Sequence, residues 1–362
     1  MKMYFLKINK KEYKLKRKNN KNKKTHIKYI FYSLIIIFII VLILLITKQI
    51  VKIDLDINRK IKFNNFSSNF TKNEEKIILN NESSTLDYFC CFCVMGRMEN
   101  RYVRELISYY TSLGVDKFII ADNNLPNTEK FSDVLQDYIN SGIVEIIDII
   151  GQSYDYSQYY DIMYQKYKNK CEWLAFFDFD EYLVVYSDQE EKIKLKEFLS
   201  NSKFDKCEAI FFNWLIYNDN DLVYYDKRPS IERFTNANYN SPYNRFVKTM
   251  IRGNLNKTTF IPYKSCHKPN KEIKMCNAKG EIPDYNPDSL TPPLFKYGYL
   301  MHFSSRTAEE YVTKVKRGNA GNRHESYEER VYSFFLNNKV TEEKLKIFEK
   351  QFNQIFYRYH YK

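Results

Sequence analysis

Glycine and proline are scarce, nine of each in 362 residues. No Gly-x-Gly-x-x-Gly comes after the first apolar run, and no Walker loop occurs anywhere, which argues against a dinucleotide cofactor and against P-loop chemistry. Cys90-x-x-Cys93 lacks a second pair at zinc-finger distance, so Cys90, Cys91 and Cys93 read as small buried apolar side chains. The seven cysteines are an odd number; Cys266 and Cys276 could pair, and at least one thiol stays free. Most of the chain also lacks net charge. Residues 1–28 hold twelve Lys/Arg and one acid, and the rest holds 45 basic against 43 acidic residues. A nucleic-acid footprint spreads over a folded face. Basicity confined to a tail therefore excludes nucleic-acid binding as the main function.

The basic tail runs into an apolar segment. Tyr29 to Ile46, bracketed by Lys28 and Lys48, has about the length of a spanning helix at ~1.5 Å per residue. It is too long for a signal-peptide core, and no small-residue cleavage site comes after it. The division expected is a basic cytosolic tail (1–28), a transmembrane helix (29–47), a stem (48–86) and a folded body (87–362). The Lys-rich flank stays cytosolic by the positive-inside rule, making a single-pass type II protein with its body across the membrane. The stem is rich in Asn, Ser, Lys and Glu, without a persistent period. Glycosylation acceptors fall at Asn65, Asn69 and Asn81, with a fourth at Asn256 in the body.

The body alternates strand and helix. Tyr88–Val94 reads as a buried strand. Next comes a helix with Val103, Leu106, Ile107, Tyr110 and Leu113 at helical spacing, Asn100 as its cap and Gly114 closing it. Lys117–Ala121 is a second strand, ending at Asp122-Asn123. A helix over about Phe131–Ser141 leads to a third strand, Val144–Ile150. Gln158–Lys168 is helical, and Trp173 opens a fourth strand. That order is the signature of a parallel, doubly wound α/β sheet. Thr341–Tyr357 reads as an amphipathic helix packing on the body.

The most informative stretch is Trp173-Leu174-Ala175-Phe176-Phe177-Asp178-Phe179-Asp180-Glu181. Strand alternation would put Asp178 and Asp180 on one side at the strand's carboxyl end, where open α/β sheets bind ligands. Carboxylates so close repel unless a cation lies between them. Mg²⁺ or Mn²⁺ fits an oxygen-rich site completed by a substrate phosphate.

The run from Arg97-Met98-Glu99-Asn100 to Leu113-Gly114-Val115 resembles the opening of glycosyltransferase family 92. So do Asp122-Asn123, Gln152 and Gln158, the Asp178-Phe179-Asp180-Glu181 block, and the late block Met301-His302 to Lys316-Arg317-Gly318. Two departures stand out: the family's Asn-Glu order is inverted at Glu99-Asn100, and Leu106 replaces its usual Trp. The resemblance implies a GT-A nucleotide-sugar-binding fold with a Rossmann-like central sheet flanked by helices. It further implies inverting transfer of a hexose, galactose first, from a UDP-sugar to a glycan or glycoprotein acceptor, with a manganese or magnesium ion. Metal ligation would fall to Asp178, Asp180 and His302, where the alternative for His302 is a structural hydrogen bond. Donor contacts would fall to Arg97, Glu99, Asp122, Asn123, Gln158 and Asp178. Lys248, Arg252, Lys316 and Arg317 are candidates for the diphosphate by charge. Inversion needs a general base: Glu232 first, then Asp221, with Asp219 also in reach of the same loop. Trp214 is either a sugar platform or core. For a eukaryotic source, the anchor and sequons lead us to expect the Golgi or another secretory membrane. Rival readings are a non-catalytic, membrane-anchored glycan-binding protein and a nucleotidyltransferase.

Overall fold

A computed structural model describes residues 86–151, 156–255, 269, 272–284, 291–318 and 327–352. The basic tail, the apolar segment 29–47, the stem to residue 85, the four acceptor asparagines, Gln152 and Cys266 lie outside the described residues. Among the described residues no helix is long and apolar enough to cross a membrane.

The chain runs β1 (Tyr88–Gly96), α1 (Asn100–Leu113), β2 (Lys117–Asp122), α2 (Phe131–Asn140), β3 (Val144–Asp148), α3 (Tyr156–Tyr167), β4 (Cys171–Phe176) and β5 (Glu181–Val185). It continues through α4 (Leu195–Leu199), β6 (Ala209–Ile216), α5 (Ser230–Arg233), β7 (Val247–Arg252), β8 (Met275–Cys276), β9 (Gly298–His302), α6 (Ala308–Lys316), α7 (Tyr327–Phe335) and α8 (Glu342–Phe352). The strands form one sheet in the order β3-β2-β1-β4-β7-β6-β9-β5, with β8 added on β6.

The first half matches the expected parallel winding. β1 pairs in parallel with both β2 and β4, and β2 with β3. β1 is covered on both faces, which is why it reads as an unbroken apolar run rather than an alternating one. Tyr102, Val103, Leu106, Ile107 and Tyr110 bury one stripe of α1. Gly114 ends α1 in the left-handed conformation at φ 110°. The second half departs from a purely parallel sheet. β7 runs antiparallel between β4 and β6, and β5 antiparallel to β9. The sheet is therefore mixed, and its sense changes beside β4.

Three smaller expectations are corrected. Asn100 does not cap α1: Glu99 holds the cap position without a side-chain cap bond, and the Asn100 amide instead donates to the carbonyls of Glu129 and Lys130. Cys276 pairs with Cys207, and Cys91 with Cys171 across β1 and β4, so Cys91 is more than apolar filler. Cys90 and Cys93 are buried free thiols, as small core side chains. The C-terminal helix is described to Phe352; its Leu345, Phe348 and Phe352 join Tyr311 and Val312 of α6 and Val331 and Phe334 of α7 in a second apolar core.

Candidate active site

The Asp-x-Asp segment is not strand. β4 ends at Phe176, and Asp178-Phe179-Asp180 forms a turn closed by the Glu181 N–H on the Asp178 carbonyl at 3.2 Å. Alternation therefore does not set the two carboxylates; Phe179 does. Its ring lies over Gly96 and stacks on Phe131, with centroids 5.3 Å apart. A Cβ at Gly96 would meet Phe179 Cε2 at 2.3 Å, so only glycine lets the turn settle onto the end of β1. Arg306 Nη2 adds a bond to the Phe179 carbonyl at 3.3 Å.

Asp178 is one-third exposed. Its Oδ2 lies 2.8 Å from Lys248 Nζ, and Oδ1 accepts from the Tyr160 hydroxyl at 3.3 Å. Lys248 is wholly buried and opposes the end of β4 through the β4–β7 register. Its ammonium is also 3.7 Å from Glu181 Oε1. Asp180 is buried; its Oδ2 takes Lys314 Nζ at 2.6 Å, and its Oδ1 faces His302 Nε2 at 3.6 Å, beyond hydrogen-bond length.

Strand register brings Glu181 and His302 together, since they are direct partners across β5 and β9. One ligand atom from each of Asp180, Glu181 and His302 falls within 4.8 Å of the others. Burial raises the Asp180 pKa, but Lys314, His302 and Arg306 outweigh it and hold the carboxyl well below its ordinary range. Burial pushes the Glu181 carboxyl well up; Lys248 opposes this, while Asp178 and Asp180 add to it. Burial pulls His302 down against the attraction of Asp180, favouring the neutral imidazole that metals bind. Glu181 Oε1 and His302 Nδ1 have no hydrogen-bond partner among the described residues. Two carboxylates and one imidazole suit Mn²⁺, which accepts nitrogen more readily than Mg²⁺. Burial, with repulsion from Asp178 and Asp180 added, suppresses the Glu181 charge, and a divalent cation would offset both.

A second set of charges braces the turn. Glu99 is buried between Arg306, at 2.9 Å, and Arg317. Burial raises its pKa, yet the two guanidiniums bring it below the usual value. The Arg306 guanidinium lies 3.4 Å from the Tyr102 ring centroid. Arg97 Nε donates to Asn123 Oδ1 at 2.8 Å, and Arg317 to the Arg97 carbonyl.

The family model for glycosyltransferase family 92 matches residues 87–333. The chain belongs to glycosyltransferase family 92. A family 92 protein of Oryza sativa subsp. japonica is 30% identical over 111 residues, covering 27% of this chain. The chain spans about 17% of that relative's length. Among solved structures, S. aureus TarS 1-349 in complex with UDP-GlcNAc is 13% identical, covering 73% of this chain and 72% of its own, at a TM-score of 0.36. A second S. aureus TarS structure is 13% identical, covering 73% of this chain and 43% of its own, at a TM-score of 0.35. Likeness at that level carries no argument about this chain's activity.

Within this family 92 chain, the sequence-derived candidates divide into three sets. Asp178, Asp180, His302, Lys248, Glu99 and Arg317 gather around the turn. Arg97 and Asn123 lie beside them, while Asp122 is buried with its oxygens accepting from the Asn124 and Phe131 N–H groups at 2.9 and 2.8 Å, fixing the start of α2. Burial raises its pKa. Arg252 is not brought in: it pairs in register with Trp173 near the start of β4, lies over that indole, and donates to the Cys207 and Phe204 carbonyls. Lys316 is exposed and bonds Gln351. Asp219 is buried against Lys344 at 2.6 Å, a structural pair; Asp221 and Glu232 are exposed. Gln158 lies in α3, with its side chain outside the described set.

Sequence reasoning passes over Lys314, Arg306 and Glu181 as site residues. Glu310, Lys314 and Arg317 are spaced by four and three, one helix face, and that phase is readable from the chain alone. Trp214, half-buried, has its ring 4.2 Å from the His302 ring.

Proposed function

We propose that this chain is a metal-dependent inverting glycosyltransferase of GT-A type that moves a hexose, galactose first, from a UDP-sugar to a glycan or glycoprotein acceptor. The observation that carries it is the convergence of Asp180, Glu181 and His302 within 4.8 Å at the end of β4 in a family 92 chain. Those three would hold the ion, with Asp178 beside them on the Lys248 ammonium. Bound there, a divalent metal supplies Lewis-acid stabilisation of the charge that develops on a departing diphosphate. The chain's own residues do the rest. Lys248 and Tyr160 orient Asp178, and Gly96 with Phe179 fixes the turn. Trp214 walls His302, with the two rings 4.2 Å apart.

Glu232 is the proposed base for the acceptor hydroxyl. It is exposed on α5, and that helix is pinned at both ends: Ser230 Oγ donates to Glu105 Oε1 at 2.5 Å, and Arg233 to Glu310. A fixed helix presenting an exposed carboxylate suits that task. We also assign the body to an oxidising lumen, behind a type II anchor at 29–47 in the Golgi or another secretory membrane. The Cys91–Cys171 and Cys207–Cys276 disulfides support it, because such bonds persist in oxidising compartments.

Incubation of the full chain with a panel of labelled UDP-sugars, Mn²⁺ and glycan acceptors tests the reading. Acceptor-stimulated UDP release is expected, abolished by chelator and restored by Mn²⁺. Glu232→Gln should lower turnover on the order of 10²-fold while leaving donor affinity unchanged. Absence of UDP release with every donor, or nucleotide rather than sugar transfer, sinks the proposal.

A further inference from the structure

The helix α5 has little of its own to hold it in place. It is four residues long, and so short a helix has no stability alone. Ile231 and Glu232 on it are exposed. Residues 218–229, which lead into it, form no helix or strand. Bonds from neighbouring elements therefore set where α5 sits.

Glu105 of α1 gathers three donors on one carboxylate. Its Oε1 accepts the Ser230 hydroxyl at 2.5 Å and the Tyr182 hydroxyl at 2.8 Å, and its Oε2 accepts the Ser230 N–H at 3.1 Å. Ser230 is fully buried and Tyr182 nearly so, which strengthens such bonds. The Tyr182 end is rigid, because its ring packs on Tyr109 and Phe303 with centroids 5.0 and 5.3 Å away. Tyr182 comes next after Glu181 in β5, and alternation turns its side chain to the opposite face of the sheet. One carboxylate thus links the strand bearing Glu181 to the helix bearing Glu232. Ser230 and Glu232 share a single turn, so a shift of one carries the other. The other tie on α5, Arg233 to Glu310, reaches α6 instead of β5.

We propose that Glu105 is a positioning residue for sugar transfer, setting the reach of the Glu232 carboxylate by holding Ser230 against Tyr182. This rests on the reading of Glu232 as the base. Glutamine is no equivalent at that position. It keeps one acceptor oxygen and turns the other into a donor, which then faces either the Ser230 N–H or the two hydroxyls.

The test is a double-mutant cycle on the full chain, in steady-state kinetics with Mn²⁺ and the UDP-sugar and acceptor that give the most UDP release. Glu105→Gln should lower kcat about tenfold, as a misplaced base does. The KM for the UDP-sugar and the affinity for Mn²⁺ should stay within about twofold. In a Glu232→Gln background the same change should cost less than about twofold, since the group it positions is gone. General damage to the fold would instead slow both backgrounds equally. A thermal melt shows whether Glu105→Gln folds. If it does not, Ser230→Ala, which removes one of the three bonds, carries the same cycle with a smaller drop. Unchanged kcat in the folded variant, an equal drop in both backgrounds, or a loss confined to Mn²⁺ affinity overturns the proposal. Each leaves the base assignment standing if Glu232→Gln alone is slow. Full turnover by Glu232→Gln removes the base assignment, and the role of Glu105 with it.

Discussion

Asp180 and Glu310 are both buried carboxylates ringed by cations, and they differ in what is left unmet around them. Glu310 is saturated. Its Oε2 takes Arg233 Nη1 at 2.7 Å and the Thr307 hydroxyl at 2.7 Å, while Oε1 takes the Tyr102 hydroxyl at 2.7 Å and Arg233 Nη2 at 3.1 Å. Around Asp180 the network stays open. His302 is 3.6 Å from Asp180, Lys248 is 3.7 Å from Glu181, and Glu181 Oε1 and His302 Nδ1 have no hydrogen-bond partner among the described residues. A closed buried network fixes one conformation. An open one is rare in native interiors and marks where a missing charge belongs. The lesson is that burial and charge alone do not separate scaffold from site; here unmet bonding capacity shared by a neighbouring carboxylate and imidazole adds the distinction.

Replacing each carboxylate in turn puts that contrast to the sharpest strain. Asp180→Asn should lower sugar transfer on the order of 10³-fold, about 4 kcal/mol of transition-state stabilisation, with the chain still folded despite the loss of the Lys314 pair. Glu310→Gln should do the reverse. It strands Arg233 in the interior and should cost about 3 kcal/mol of stability, read by chemical denaturation. Transfer per folded molecule should fall far less than in Asp180→Asn, a few-fold, because Glu105 still holds α5 at Ser230. If the two variants change places, with Asp180→Asn unfolding and Glu310→Gln folded but inactive, the distinction is wrong.

Gly96→Ala is a smaller perturbation aimed at the scaffold beneath the open group. The added methyl meets Phe179 Cε2 and Phe131 Cζ at 2.3 and 2.8 Å. Overpacking of this kind costs about 1–3 kcal/mol. Because Phe179 lies between Asp178 and Asp180, Mn²⁺ affinity should fall with stability, measured by titration. A variant that loses stability but binds Mn²⁺ as before would show that the turn is held by something other than Phe179.

Much of the open group is legible locally and much is not. The Asp178-Phe179-Asp180 block stands out because apolar residues run straight into carboxylates. The parallel strands β1 to β4 and the helices between them come from period and caps. The pairing of Glu181 with His302 is hidden, because it depends on antiparallel register between β5 and β9, strands far apart in the chain and only five residues each. Arg252 misleads for the same reason: β7 runs back along β4, so Lys248 lands at the carboxyl end and Arg252 at the other. Charge alone points to Lys316 as readily as to Lys314, although helix phase favours Lys314, which shares a face with Glu310 and Arg317. Cys276 finds Cys207 rather than Cys266 because β6 and β8 pair, a contact no spacing reveals.

Acid provides the finest test of the saturated carboxylate. Burial raises the Glu310 pKa, but Arg233, Arg306 and Tyr102 outweigh it, and the folded value lies below the ordinary 4.5. A depressed folded pKa adds stability that is fully present above the unfolded value and is lost as pH falls through the folded one. Denaturation midpoints of the native chain should therefore fall from about pH 5 downward, with a contribution from this group of at most about 1.4 kcal/mol per pH unit. Glu99 and Asp180 also have depressed pKa values and slope the same way, so the native curve alone assigns nothing. The difference does: Glu310→Gln lacks the titrating group, and its curve should be shallower over the same interval, converging on the native one at low pH. Parallel curves would mean that Arg233 holds Glu310 no more tightly in the folded chain than water does in the unfolded one, and the saturated network would lose its claim to be scaffold.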